Sequence, residues 1–323
     1  MDSFLGISPL KKIYLCREET STFFTNDCPR EEWTQVGVTH VKLIPGCECD
    51  IHIYHKKKQN AENHAFDVPT RSSSPFLLKS LLQKSIRRGC SSIAQRSARD
   101  LMLESPTELI RRLPIIMIED TGVFYEIVDM VFDLLCGYVL DVIRPLKYAT
   151  MLAQTKKRSI PKFDTVTFSK KSLFDKCIKN ITDVPSMVAF SLLIRASYGG
   201  MQGDVNMLVH AAQLVMNSKL PIHSLSTDEY SFNIDNRVLN VSDWILDAVD
   251  FHCCPNILGY VTEKTGIHKD AVKKIMWDYG SKINCRDNQS ANTSEEWIHI
   301  SSILQGYRIS IIEQSYKSTI MPY

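Results

Sequence analysis

The chain carries none of the short signatures that mark the common enzyme classes. It has no Walker-type loop ending in Lys and Ser or Thr, no G-x-G-x-x-G after a strand, no G-x-S-x-G and no H-E-x-x-H. These absences leave no recognisable nucleotide or dinucleotide site, and no cofactor is expected. The start, Met1-Asp2-Ser3-Phe4-Leu5, lacks both the basic segment and the apolar run of a secretory signal, so the chain is expected to work inside the cell, in cytoplasm or nucleus. The most apolar long stretch, Val123 to Ile143, carries Glu126, Asp129, Asp133 and Asp141, and four carboxylates are too costly for a membrane span. No fixed-period repeat is visible, which argues against a solenoid. The ten cysteines are irregularly spaced in a long chain, so reduced thiols rather than a disulfide framework are expected.

What is present is ordinary globular material. The 323 residues are 44% hydrophobic and 23% charged, enough for one large domain or two smaller ones and unlike a disordered, collagenous or coiled-coil chain. The fold class expected is mainly α, a multi-helical domain over 71–323 behind a small β-rich module over 1–70. Strand-like runs cover Lys12–Cys16, Val36–Ile44 and Cys49–His55, with a turn at Pro45-Gly46, and read as a β-meander. The polar stretch from Lys56 to Ser74 reads as a linker.

From Pro75 the pattern is helical. Ser74-Pro75 gives an N-cap with proline in the first turn, and Leu77, Leu78, Leu81, Leu82 and Ile86 follow before Gly89. Ser105-Pro106-Thr107-Glu108 and Thr293-Ser294-Glu295-Glu296 have the form of capping boxes. Asp183-Val184-Pro185 opens another helix, and Ser242 is expected to open one over Trp244–His252.

The formal charge of +2 conceals strong segregation. Residues 71–112 carry nine bases and three acids, residues 144–179 ten and two, and residues 113–143 six acids and no base. The basic groups Arg87, Arg88, Arg111, Arg112, Lys156, Lys157, Arg158, Lys170 and Lys171 are the candidate nucleic-acid contacts, with Phe163, Phe168 and Phe174 interleaved for stacking. The alternative is that they are solvated faces or pair with the chain's own acids.

Other clusters invite chemistry. Cys47, Cys49, His52 and His55, with Cys16 and Cys28 upstream, have zinc-ligating side chains, but strand alternation sends Cys47 and Cys49 to the face opposite His52, which favours ordinary strand residues. Asp247, Asp250, His252, Cys253 and Cys254 read as a helix C-terminus rather than a thiol nucleophile with its base. Glu126, Asp129 and Asp133 fall on one helical face, either solvated or, with Glu119, Asp120 and Asp204, around Mg2+. The loop Ser197–Asp204 has three glycines but no phosphate-loop order and reads as a turn between helices.

One stretch resembles a known family. Lys84-Ser85-Ile86-Arg87, Ala94, Ala98-Arg99, Pro106, Arg111-Arg112-Leu113 and Glu119-Asp120-Thr121-Gly122 are similar to the helical region following the ATPase core in AAA+ ATPases of the replication-associated recombination protein A class. The resemblance covers about 40 residues and implies a clamp-loader-like collar, which in that family serves oligomerisation near DNA. The ATPase core is absent from this chain, so ATP hydrolysis does not carry over. The expected function is accordingly binding or assembly without catalysis, as an accessory in DNA replication or recombination, its partner a nucleic acid, an acidic protein or further copies of the chain, and not a membrane. The rival is a Mg2+-dependent enzyme acting on phosphate esters through the carboxylates of 119–133.

Overall fold

Period-two alternation near the N-terminus and capped helices after it build the elements seen in the computed structural model, which describes residues 11–19, 21–56, 73–139, 141–156, 169–225, 230–250, 256–281 and 294–317. Four strands come first: β1 (Lys11–Arg17), β2 (Thr22–Thr25), β3 (Trp33–Ile44) and β4 (Cys47–Lys56). The helices α1 (Pro75–Arg87), α2 (Ser91–Glu104), α3 (Pro106–Ile116), α4 (Ile127–Cys136), α5 (Ile143–Gln154) and α6 (Lys170–Lys179) follow. Then come α7 (Val184–Ser197), α8 (Gln202–Met216), α9 (Ile257–Thr265), α10 (Lys269–Met276) and α11 (Glu295–Lys317). The molecule is mainly α with a small N-terminal sheet, as expected.

The chain divides into two compact units, each drawn from three stretches. The first takes Met1–His64, Met117–Leu140 and Ser159–Leu225; the second takes Ala65–Ile116, Asp141–Arg158 and Ser226–Tyr323. The change of character expected near residue 70 lies outside the described residues.

In the first unit the sheet order is β2-β1-β4-β3, and β1 runs parallel to β4. This corrects the expected meander. Two antiparallel hairpins, β1–β2 and β3–β4, lie side by side, because the register Ile13 to Ile51 and Leu15 to Ile53 puts one continuous apolar row under both. Gly46, at φ 79°, makes the β3–β4 turn in a conformation that a side chain disfavours. Ile13, Leu15, Cys47, Cys49, Ile51 and Ile53 are fully buried on the helix-covered face. Phe24 of β2 meets Phe190 of α7 edge-on at 5.3 Å, and Phe190 in turn meets Phe174 of α6 at 6.0 Å.

The second unit packs α1, α2, α3 and α5 together, and α2 is buried on every side from Ala94 to Met102. Glu108, expected to close a capping box on Ser105, instead accepts from Lys79 Nζ at 2.7 Å. At α11 the cap falls one residue later than the expected box: the Ser294 hydroxyl accepts from the Trp297 amide at 3.0 Å, and Thr293 lies outside the described residues. The helix expected over Trp244–His252 is replaced, among the described residues, by two 3-10 turns, Val241–Asp243 and Leu246–Val249. Asn240 and Asp243 close a capping box around a single turn, while Asp247, the one acid of the second turn, points to Arg88 and Arg308 elsewhere in the unit. The last three helices share a core that includes Ile257, Val261, Val272, Met276, Ile300 and Leu304, and Gly266, at φ 71°, ends α9 so that α10 can fold back.

Candidate nucleic-acid interface

The arginines at the end of α1 face inward. Arg87 is buried, and Arg88 bonds Asp247, which also takes Arg308 of α11 at 2.9 Å. Arg308 reaches Asp250 as well, at 2.5 Å. Burial works to raise the Asp247 carboxyl, but Arg308 and then Arg88 hold it below its ordinary value. Burial, reinforced by Arg87, pushes the Lys84 amine down to about 8. Arg111 and Arg112 of α3 are half-buried, and Arg112 donates to Gln83 of α1. The cluster Asp247, Asp250 is thus an ion-pair centre; His252, Cys253 and Cys254 lie outside the described residues.

Arg96 and Arg99 of α2 do something composition did not foretell: they hold an extended segment, residues 230–240, along the helix. Arg96 grips Asp243 with two bonds, at 2.7 and 3.2 Å, and the Val238 carbonyl at 3.2 Å. Arg99 donates to the carbonyls of Asp235 and Arg237 at 3.0 and 2.9 Å. Gln95 adds the Asn233 carbonyl at 2.9 Å. The guanidinium fork suits this work because it satisfies several acceptors from one buried position.

The second basic stretch is exposed where it is described. Lys156 follows α5 and is open to solvent, whereas Lys157 and Arg158 lie outside the described residues. On α6 the Ser169 hydroxyl caps the helix by accepting from the Ser172 amide at 3.1 Å. Leu173, Phe174, Cys177 and Ile178 then bury a single stripe, which turns Lys170, Lys171 and Lys179 to solvent. None of those three makes an ion pair among the described residues. Lys176 donates to the Met216 carbonyl at 3.2 Å, and Asp175 takes Lys11 of β1 at 3.3 Å. Lys170 and Lys171 stand in the first turn, at the positive end of the helix dipole, where a cation costs stability and an anion is attracted.

The acidic stretch needs a correction. Glu126, Asp129 and Asp133 are buried rather than solvated: Arg17 at the end of β1 enters between Asp129 and Asp133, and Glu126 is taken up by Ser224 and Leu225. Arg17 reaches Asp133 at 2.5 Å, the Asp129 carbonyl at 2.5 Å and the Thr22 hydroxyl at 3.2 Å, with its guanidinium 3.9 Å above the Phe132 ring. Thr22 donates in turn to Asp129. Glu126 accepts from the Ser224 hydroxyl at 2.9 Å and the Leu225 amide at 2.8 Å. Glu119 is exposed, Asp120 buried and Asp204 half-buried, and among the described residues no three acids, histidines or cysteines are arranged around a metal position.

The thiols follow strand and helix packing. Cys47 and Cys49 lie under the sheet and His52 on its other face, as alternation predicted. Burial pushes the thiols of Cys16, Cys49, Cys136 and Cys177 up to about 12, which leaves them protonated and unreactive. The glycine loop is a turn between α7 and α8: Gly199 and Gly200 have φ of 72° and 133°, and Arg195 donates to the Gly199 carbonyl at 2.9 Å. A cleft of about 40 Å³ beside Lys170, lined by Leu43, Leu193 and Val209, is far smaller than a small-molecule substrate requires. No helix among the described residues is long and apolar enough to cross a membrane.

Compared with known protein families, curated proteins and solved structures, the chain matches none.

Proposed function

We propose that this chain is a non-catalytic intracellular binding and assembly protein that takes nucleic acid by its phosphates, with α6 as the contact. One observation carries the reading. Lys170, Lys171 and Lys179 are exposed cations with no ion pair among the described residues, while the arginines of α1 and α2 are consumed inside their own unit. The two lysines at the helix start are placed against their own stability, and a bound phosphate relieves that cost. The buried thiols fit a reducing compartment, and the collar-like sequence of residues 84–122 fits a place beside DNA.

The test is fluorescence anisotropy with labelled oligonucleotides between 50 and 200 mM salt. Replacing Lys170, Lys171 and Lys179 together with Ala is expected to weaken binding to any sequence about equally. The slope of log affinity against log salt should fall by about 2 to 3, since each lost phosphate contact releases one fewer counterion. Unchanged affinity and slope in the triple variant would sink the reading.

A further inference from the structure

In the second unit α9 and α10 are joined by a turn of three residues, Gly266 to His268, and each of the three has a set task. The Gly266 amide donates to the Thr262 carbonyl at 2.9 Å and ends α9, with its backbone in the left-handed region that a side chain disfavours. Ile267 packs against the core of Val261, Val272 and Met276, and its amide donates to the Thr265 hydroxyl at 3.2 Å. His268 opens α10: its carbonyl accepts from the Val272 amide at 3.0 Å and its ring from the Asp270 amide at 3.4 Å. Helix α11 braces both neighbours, since Ile300 and Leu304 complete their core and Tyr307 stacks on Tyr260 of α9 at 4.6 Å.

That bracing decides which side of α10 stays open. Val272 and Met276, four apart, are fully buried, so Asp270, Lys273, Lys274 and Trp277, at i, i+3, i+4 and i+7, line the opposite side, and all four are exposed. Lys269 is exposed in the first turn. Over 256–281 four lysines stand against three acids, a small excess, but three of those lysines share α10 and Asp270 is the one exposed acid beside them; Asp278 is half-buried and Glu263 belongs to α9. Lys269 and Lys274 make no ion pair among the described residues. Two helices joined by a three-residue turn with glycine, the second open and cationic on its outer side, form the helix-turn-helix arrangement, which sets that second helix in the major groove of duplex DNA. The dimensions agree, because a helix with its side chains is about 10–12 Å across and the groove about 12 Å wide. The side chains suit reading as well as attraction: lysine donates to guanine O6 and N7, and a carboxylate, which phosphate repels, accepts from the cytosine amino group. The deep, narrow major groove of duplex RNA admits no such helix.

We infer that α9 and α10 are a sequence-reading site for duplex DNA, with Asp270, Lys273 and Lys274 at base edges and Lys269 on a phosphate. The site stands on a different helix from α6, in the other unit, and shares with the phosphate reading above only the class of ligand. The test offers the full-length chain a pool of DNA duplexes randomised over about two helical turns, from which bound duplexes are amplified and sequenced. Wild type is expected to enrich one motif. Asp270→Ala and Lys273→Ala, both at exposed positions, should each weaken binding to the enriched duplex by about tenfold, read by anisotropy. Affinity for an unrelated duplex should fall far less, and urea midpoints should match wild type. Duplex RNA of the enriched sequence should not compete. A pool that yields no motif, a motif that both variants bind as wild type does, or RNA that competes as well as DNA overturns the inference. The α6 reading is judged apart, on an unrelated duplex: if the Lys170, Lys171 and Lys179 variant loses affinity there while no motif emerges, α6 stands and α10 falls. If a motif emerges and that variant binds like wild type, α10 stands and α6 falls.

Discussion

Residues 84–99 and residues 170–179 are comparably basic, five cations in sixteen positions against four in ten, yet the first stretch turns its charge inward and the second outward. The difference lies in how many sides of each helix are covered. From Ala94 to Met102 no residue of α2 escapes burial, so any cation there needs partners inside the unit, and Arg96 and Arg99 find them in Asp243 and the carbonyls of 235–238. Only one stripe of α6 is covered, so its lysines need no partners and take almost none. Residue type matches position, with a planar fork of five donors in the interior and a hydrated point charge at the surface. Basic composition thus says little about polyanion binding until the burial of each helix face is known.

Arg17 takes the inward case to its limit and offers the largest test of it. Its side chain is 2% exposed and ties the end of β1 to Asp129 and Asp133 of α4. Arg17→Leu leaves two buried carboxylates without their cation and should lower the unfolding free energy by about 3–5 kcal/mol, read as a shift of the urea midpoint at neutral pH. A loss below about 1 kcal/mol would mean that the cluster behaves as a surface pair, and the contrast between inward and outward cations would fail.

Asp100 sharpens the same contrast through pH. It neighbours Arg99 and is 1% exposed, with Oδ2 lacking a hydrogen-bond partner among the described residues. Burial raises its carboxyl to about 6, against the opposing pull of Arg99 and Arg96 and with a small addition from Glu104. A folded-state value above the ordinary 3.8 means that the native state holds the proton longer. The associated stability is fully present below about pH 4 and is lost as pH rises through about 6, a change on the order of 2–3 kcal/mol. Asp100→Asn, neutral throughout, should flatten that part of the curve in urea midpoints taken at pH 4, 5, 6 and 7. Parallel curves for the two proteins would show that Arg99 neutralises Asp100 completely.

The sequence made the local features legible and concealed the long-range ones. Proline after Ser74 and Asp183 marked true helix starts, and the alternation Cys49, Ile51, Ile53 identified the buried face of β4. The four residues of β2 were too short to show a period, and nothing local reveals that β1 pairs in parallel with β4 across roughly 30 intervening positions. That pairing brings Tyr14 beside His52 and Tyr54, a neighbourhood that neither strand shows by itself. Glu126, Asp129 and Asp133 were seen to share a helix face, but the cation of Asp129 and Asp133 arrives from a strand more than a hundred residues earlier. An acidic stripe without a nearby base reads as solvated unless the partner is known, and only Arg17, a lone arginine ending an apolar strand, hinted at one.

The outward side of the comparison makes the smallest stability change informative. Lys170 and Lys171 touch no acid among the described residues and stand where the first-turn amides of α6 already concentrate positive charge. Replacing both with Ala removes two unfavourable charge–dipole contacts and improves helix propensity, so stability should rise slightly, by no more than about 0.5 kcal/mol per residue. The same double variant should lose nucleic-acid affinity. Urea midpoints and anisotropy on one preparation measure both quantities. A gain in stability coupled to a loss of binding is the mark of residues retained for a ligand, whereas a stability loss above about 1 kcal/mol would place these lysines with the structural arginines of α2 and erase the distinction between the two stretches.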